Sequence, residues 1–69
     1  GDVYKRQALI FEGGKNYVVT VTPDNRLKVK EVDVYKRQNQ ECYVRSGLSE
    51  GDRVLNQNVL LVYNSLNAD

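Results

Sequence analysis

The sequence predicts an all-β domain of short antiparallel strands, and three observations carry that expectation. The run Tyr17-Val18-Val19-Thr20-Val21-Thr22 is β-branched or aromatic throughout, a composition that fits a pleated sheet and loses rotamer freedom in a helix. The stretch Arg26-Leu27-Lys28-Val29-Lys30 alternates strictly between polar and apolar residues, the period of a half-buried strand. Clusters of Gly, Pro, Asn and Asp punctuate the chain at short intervals, and connections that short join antiparallel neighbours. No segment reads as a helix.

Taken in order, Ala8-Leu9-Ile10-Phe11 is a short apolar strand that stops at Glu12-Gly13-Gly14-Lys15-Asn16, where the glycines permit positive φ and a tight turn. Strand 17–22 follows. Pro23-Asp24-Asn25 then supplies a fixed φ and two turn-forming residues before the alternating strand 26–30, so the two strands make a hairpin. The alternation next slips, because Leu27 and Val29 are odd-numbered whereas Val32 and Val34 are even-numbered. One extra residue near Lys30-Glu31, as a β-bulge or strand break, accounts for the slip. Residues 32–35 and 42–45 read as a second hairpin joined by the polar stretch 36–41, and Gly47 ends it. In residues 47–54, Gly-Leu-Ser-Glu-Gly-Asp-Arg-Val, two glycines bracket a leucine that can plug a core, and Asp-Arg leads into a last strand. Residues 54–55 and 59–63 are expected to be that final strand pair, turned by Asn56-Gln57-Asn58, with a polar tail after Tyr63.

The hexapeptide Asp-Val-Tyr-Lys-Arg-Gln occurs twice, at 2–7 and 33–38, and the residues after the two copies share no pattern. A structural repeat would rebuild a whole packed unit, so the copies are not read as architecture. The hexapeptide is similar to the in-frame translation of a transposon end used to tag DNA for short-read sequencing. Residues 1–7 are therefore expected to be non-native, 8–64 to form the β-domain and 65–69 to be a frayed tail. The second copy is expected to stand in place of native residues.

Formal net charge is +1, and each copy adds one net positive charge, which leaves −1 for the rest of the chain. That balance gives no electrostatic footprint for nucleic acid, and no nucleic-acid partner is expected. The longest apolar run, 59–63, is far short of the roughly 20 residues of a membrane-spanning helix. At 69 residues with one cysteine and no histidine, the chain has a thin core without a disulfide staple. Together with a first residue other than Met, this leads to the expectation of a fragment that folds poorly alone.

No catalytic constellation is present, because histidine, the usual general base, is absent. No enzyme, no cofactor and no metal are expected. Cys42, between strand neighbours, reads as a small buried residue rather than a reactive thiol. Asp24 with Asn25, and Glu50 with Asp52, could supply oxygen ligands to calcium, but each pair lies in a turn and reads as turn chemistry. Gly13-Gly14-Lys15 lacks the spacing of a phosphate loop and reads as a hairpin turn. Tyr17, Tyr43 and Tyr63 read as sheet-face packing rather than base-stacking platforms.

Residues 47–54 resemble the Gly-Leu-x-x-Gly-Asp-x-Val signature near the carboxyl end of periplasmic adaptor subunits, the membrane fusion proteins (HlyD-like) of resistance-nodulation-division (RND) efflux transporters. Gly13 to Val19 looks like the stretch leading out of the adaptor's β-barrel, Leu27 to Val34 like the strand before the signature, and Val59 to Asn64 like the closing segment. The resemblance covers residues 8–69, and the second hexapeptide departs from it. It implies a membrane-proximal β-domain that is discontinuous in the complete protein, so that a strand is missing here and an open sheet edge with exposed apolar surface is expected. It also implies a structural coupling role in a tripartite pump. The expected partners are an inner-membrane efflux transporter, an outer-membrane channel reached through other parts of the adaptor, and further copies of the adaptor in a ring. The implied location is the periplasm, at the inner membrane. Gly47, Leu48, Gly51, Asp52 and Val54 are the residues expected to form the turn that fixes the domain's shape. An adaptor of an ABC-type exporter and a free-standing small β-barrel binding module are the alternatives.

Overall fold

The computed structural model describes residues 2–68. Along the chain come β1 (Asp2–Lys5), a single 3-10 turn (Arg6–Ala8), β2 (Ile10–Glu12), β3 (Lys15–Val21), β4 (Leu27–Gln38), β5 (Glu41–Ser46), β6 (Arg53–Val54) and α1 (Val59–Asn67). The strands pair antiparallel in the order β1-β5-β4-β3-β2, and β6 pairs the end of β3. The chain is thus mostly antiparallel β-sheet, with one short helix.

Local turn chemistry sets the hairpins. Gly13 and Gly14 both have positive φ, 61° and 79°, and Glu12 lies opposite Lys15, which is a two-residue connection whose twist suits the strands it joins. Between β3 and β4, the Thr22 hydroxyl accepts from the Arg26 N–H at 3.1 Å and donates to the Asp24 carboxylate, while Asn25 takes a φ of 63°. The β4–β5 connection is shorter than the expected six polar residues. β4 runs on to Gln38, and Asn39-Gln40 alone turns the chain, at φ 53° and 66°. Asparagine tolerates this left-handed region through its short polar side chain, and the glutamine follows under the constraint of the Gln38–Glu41 pairing.

The slip in hydrophobic alternation has a different origin from an extra residue at Lys30-Glu31. Pairing between β3 and β4 is unbroken from Asn16 opposite Val32 to Val21 opposite Leu27. Both faces of this part of the sheet are covered. One cluster joins Val18, Val32 and Val44, with Tyr4, Leu9, Val34, Leu48 and Val54 packed on it. The other joins Ile10, Val19, Val59 and Tyr63, with Tyr17, Val29, Leu55 and Val62 packed on it. Successive strand residues point to opposite faces, so Val18 and Val19 are both fully buried, one in each cluster. The apolar positions of β4 likewise move from one face at Val29 to the other at Val32. The register shifts lie further on, between Asp33 and Val34 and between Val34 and Lys36, inside the second hexapeptide.

The expected closing strand at 59–63 is instead the first part of α1. Val59, Val62 and Tyr63 have the i, i+3, i+4 spacing of one helical face, and that face covers the Tyr17, Val19 and Val29 side of the sheet. A strand would send Val59, Leu61 and Tyr63 to one side and Leu60 and Val62 to the other, separating residues that here share a core. The helix continues to Asn67, so residues 65–67 are helical rather than a frayed tail, and Asp69 lies outside the described residues. Tyr63 packs on Tyr17 with ring centroids 5.9 Å apart, and its hydroxyl donates to Glu12 Oε1 at 2.5 Å.

The two hexapeptide copies flank the same strand. β1 pairs β5 from Asp2 opposite Val44 to Lys5 opposite Glu41, and the end of β4 pairs its other edge from Asp33 opposite Ser46 to Gln38 opposite Glu41. The edge of β5 that faces away from β4 is therefore occupied. Apolar surface remains exposed elsewhere: Phe11 is 69% exposed, Leu60 60% and Leu61 71%.

Candidate functional site

Residues 47–52 connect β5 to β6 and lie against three other parts of the domain. Gly47 has a φ of 115°, and a Cβ there would overlap the Glu31 carbonyl oxygen and stand 2.8 Å from Val32 Cα. Glycine is thus required twice, for the backbone conformation and for the close approach to β4. Leu48 packs on the Val18, Val32 and Val44 cluster. Gly51 has a φ of 87°, and a Cβ there would lie 3.0 Å from Pro23 Cγ, so the connection also touches the β3–β4 turn. Val54 lies opposite Thr20 on β3 and faces the same cluster as Leu48.

Asp52 closes the connection on itself and onto β4. Its carboxylate accepts from the Ser49 N–H at 3.1 Å, and its own N–H donates to the Ser49 carbonyl at 3.1 Å. Lys30 Nζ reaches across from β4, forming an ion pair with Asp52 Oδ2 and a 3.2 Å hydrogen bond to Ser49 Oγ. The Asp52 side chain is 3% exposed and that of Lys30 22%. The hydrogen bond from the Lys30 ammonium, with that from Ser49 N–H, holds the Asp52 carboxyl below its ordinary value, against the opposing effect of burial. At neutral pH Asp52 is accordingly a fixed anion. The network orders a loop and offers no group poised to carry a proton.

Gly47, Leu48, Gly51 and Asp52 lie in this connection, and Val54 lies in β6 directly after it. Sequence reasoning missed Lys30, Ser49 and Pro23, its contact residues. A signal for Lys30 exists in the register: Lys30 lies opposite the fully buried Val18 on β3, and a lysine at such a position calls for an acidic partner. Cys42 is fully buried beside Val44. Asp24 is engaged with Thr22 and Arg26, as local turn chemistry predicts. Tyr17 and Tyr63 pack on one sheet face, while Tyr43 packs on Tyr35, with Lys36 Nζ 5.0 Å from the Tyr43 ring centroid. Among the described residues, no group of three or more His, Cys, Asp and Glu is placed to hold a metal ion.

A family model described as "RND MFPs, C-terminal permuted SH3 domain" matches residues 6–59, from the 3-10 turn to the first residue of α1. Among curated proteins, the cation efflux system protein CusB of Escherichia coli strain K12 is 36% identical to this chain over 61 residues. The same protein from two further Escherichia coli strains, O6:H1 and O157:H7, matches equally. The alignment takes in 88% of this chain and 15% of the relative, so the chain corresponds to about one seventh of the length of the curated proteins it matches.

Proposed function

The chain belongs to the RND membrane fusion proteins, as their C-terminal permuted SH3 domain, and from that premise we propose that it serves as the membrane-proximal coupling domain of a periplasmic efflux adaptor. The single observation that carries this reading is the family match, which spans β2 to β6 together with the connection 47–52. In this reading the full-length protein lies in the periplasm at the inner membrane, docks on an RND transporter and reaches an outer-membrane channel through its other domains, with several copies forming a ring. The domain works by contact. Gly47, Leu48, Gly51, Asp52 and Val54 fix its shape by tying β5, β6 and the β3–β4 turn together, and Lys30 holds that tie from β4.

In the same reading residues 1–7 are the translation of a transposon end and 8–64 are the domain. β1 then stands where an upstream strand of the full-length adaptor pairs with β5. Two features support this: β5 accepts the same hexapeptide along both edges, and Tyr4 of β1 covers the cluster that Val44 enters.

Long-read sequencing of the source DNA across Gln7-Ala8 and through 33–38 tests the proposal. The expected frame continues upstream into a lipoyl-like domain and a helical hairpin, carries other codons at both hexapeptides, and lies beside an RND transporter gene. An adjoining ABC-type exporter gene in place of the RND one, or a gene that starts here and keeps both copies, would overturn it.

A further inference from the structure

We draw no further inference here: the strongest candidate, the outward face of the C-terminal helix α1 where Leu60, Leu61 and Leu66 stand exposed, carries none, because nothing in the structure shows what covers it.

Discussion

Lys30 and Asp52, twenty-two residues apart, form an ion pair that joins the long strand β4 to the connection between β5 and β6. The pair gives the domain a pH dependence with a definite sign. Because the folded-state value of Asp52 is lowered, its contribution to stability is fully present above the unfolded-state value of about 4 and is lost as pH falls through the lowered value. Urea midpoints measured from pH 7 down to pH 2 should fall in the parent chain. Asp52→Asn should be less stable at pH 7 and should show a shallower decline below about pH 4. Parallel curves for the two proteins would remove Asp52 from the account.

Gly47 and Gly13 separate steric crowding from backbone conformation. Both have positive φ, but a Cβ at Gly13 meets nothing within 4 Å, whereas one at Gly47 overlaps the β4 backbone. Gly13→Ala is expected to cost about 1–2 kcal/mol, the ordinary penalty of a left-handed residue. Gly47→Ala should cost more, about 3 kcal/mol or above, because strand β4 must also move. Equal midpoint shifts in chemical denaturation would show that the close approach at Glu31 and Val32 does not constrain the loop.

Tyr63 anchors α1, through its ring on Tyr17 and its hydroxyl on Glu12. That hydrogen bond, followed by burial, raises the Tyr63 phenol above its ordinary value. Its contribution is present below the unfolded-state value of about 10 and lost as pH rises through the raised one. In a spectroscopic titration at 295 nm, the transition that Tyr63→Phe removes from the parent curve should lie above the ordinary tyrosine value of about 10. Tyr63→Ala should go further and release the helix, read as loss of ellipticity at 222 nm. A removed transition at the ordinary tyrosine value would contradict the Glu12 contact.

β1 covers the edge of β5 and lies opposite Cys42 at Tyr4. Removing residues 1–7 should unpair that edge and expose the thiol, which is fully buried in the intact chain. Reaction with Ellman's reagent under native conditions is expected to be slow for the intact chain and at least ten-fold faster for the shortened one, and the shortened one should also associate through its open edge. Equal thiol reactivity in the two proteins would mean that β1 shields nothing.

The parts of the fold legible in the sequence are those set by local chemistry. Gly13-Gly14, Pro23-Asp24-Asn25 and the β-branched run 17–22 specify turns and a strand without reference to distant residues. What escaped depends on neighbours far along the chain. The run 59–63 is short enough to suit a strand or a buried helix, and only the packing of Val59, Val62 and Tyr63 onto β3 and β4 decides for the helix. The face change between Val29 and Val32 looks like a register error until α1 is known to cover the face that carries Val29. In the connection, the glycines and Leu48 announce themselves by type, whereas the role of Lys30 depends on a partner twenty-two residues away.

The central claim, that this chain is the coupling domain of an RND adaptor, is tested most directly by grafting. Residues 8–64 would replace the aligned stretch of CusB, with the CusB residues kept at 33–38, in cells lacking their own copy of that protein. Cation tolerance should return to within a few-fold of cells carrying intact CusB, and Gly47→Ala within the graft should abolish it. A graft that accumulates to the normal level in the periplasm yet leaves the cells as sensitive as the deletion strain would contradict the account.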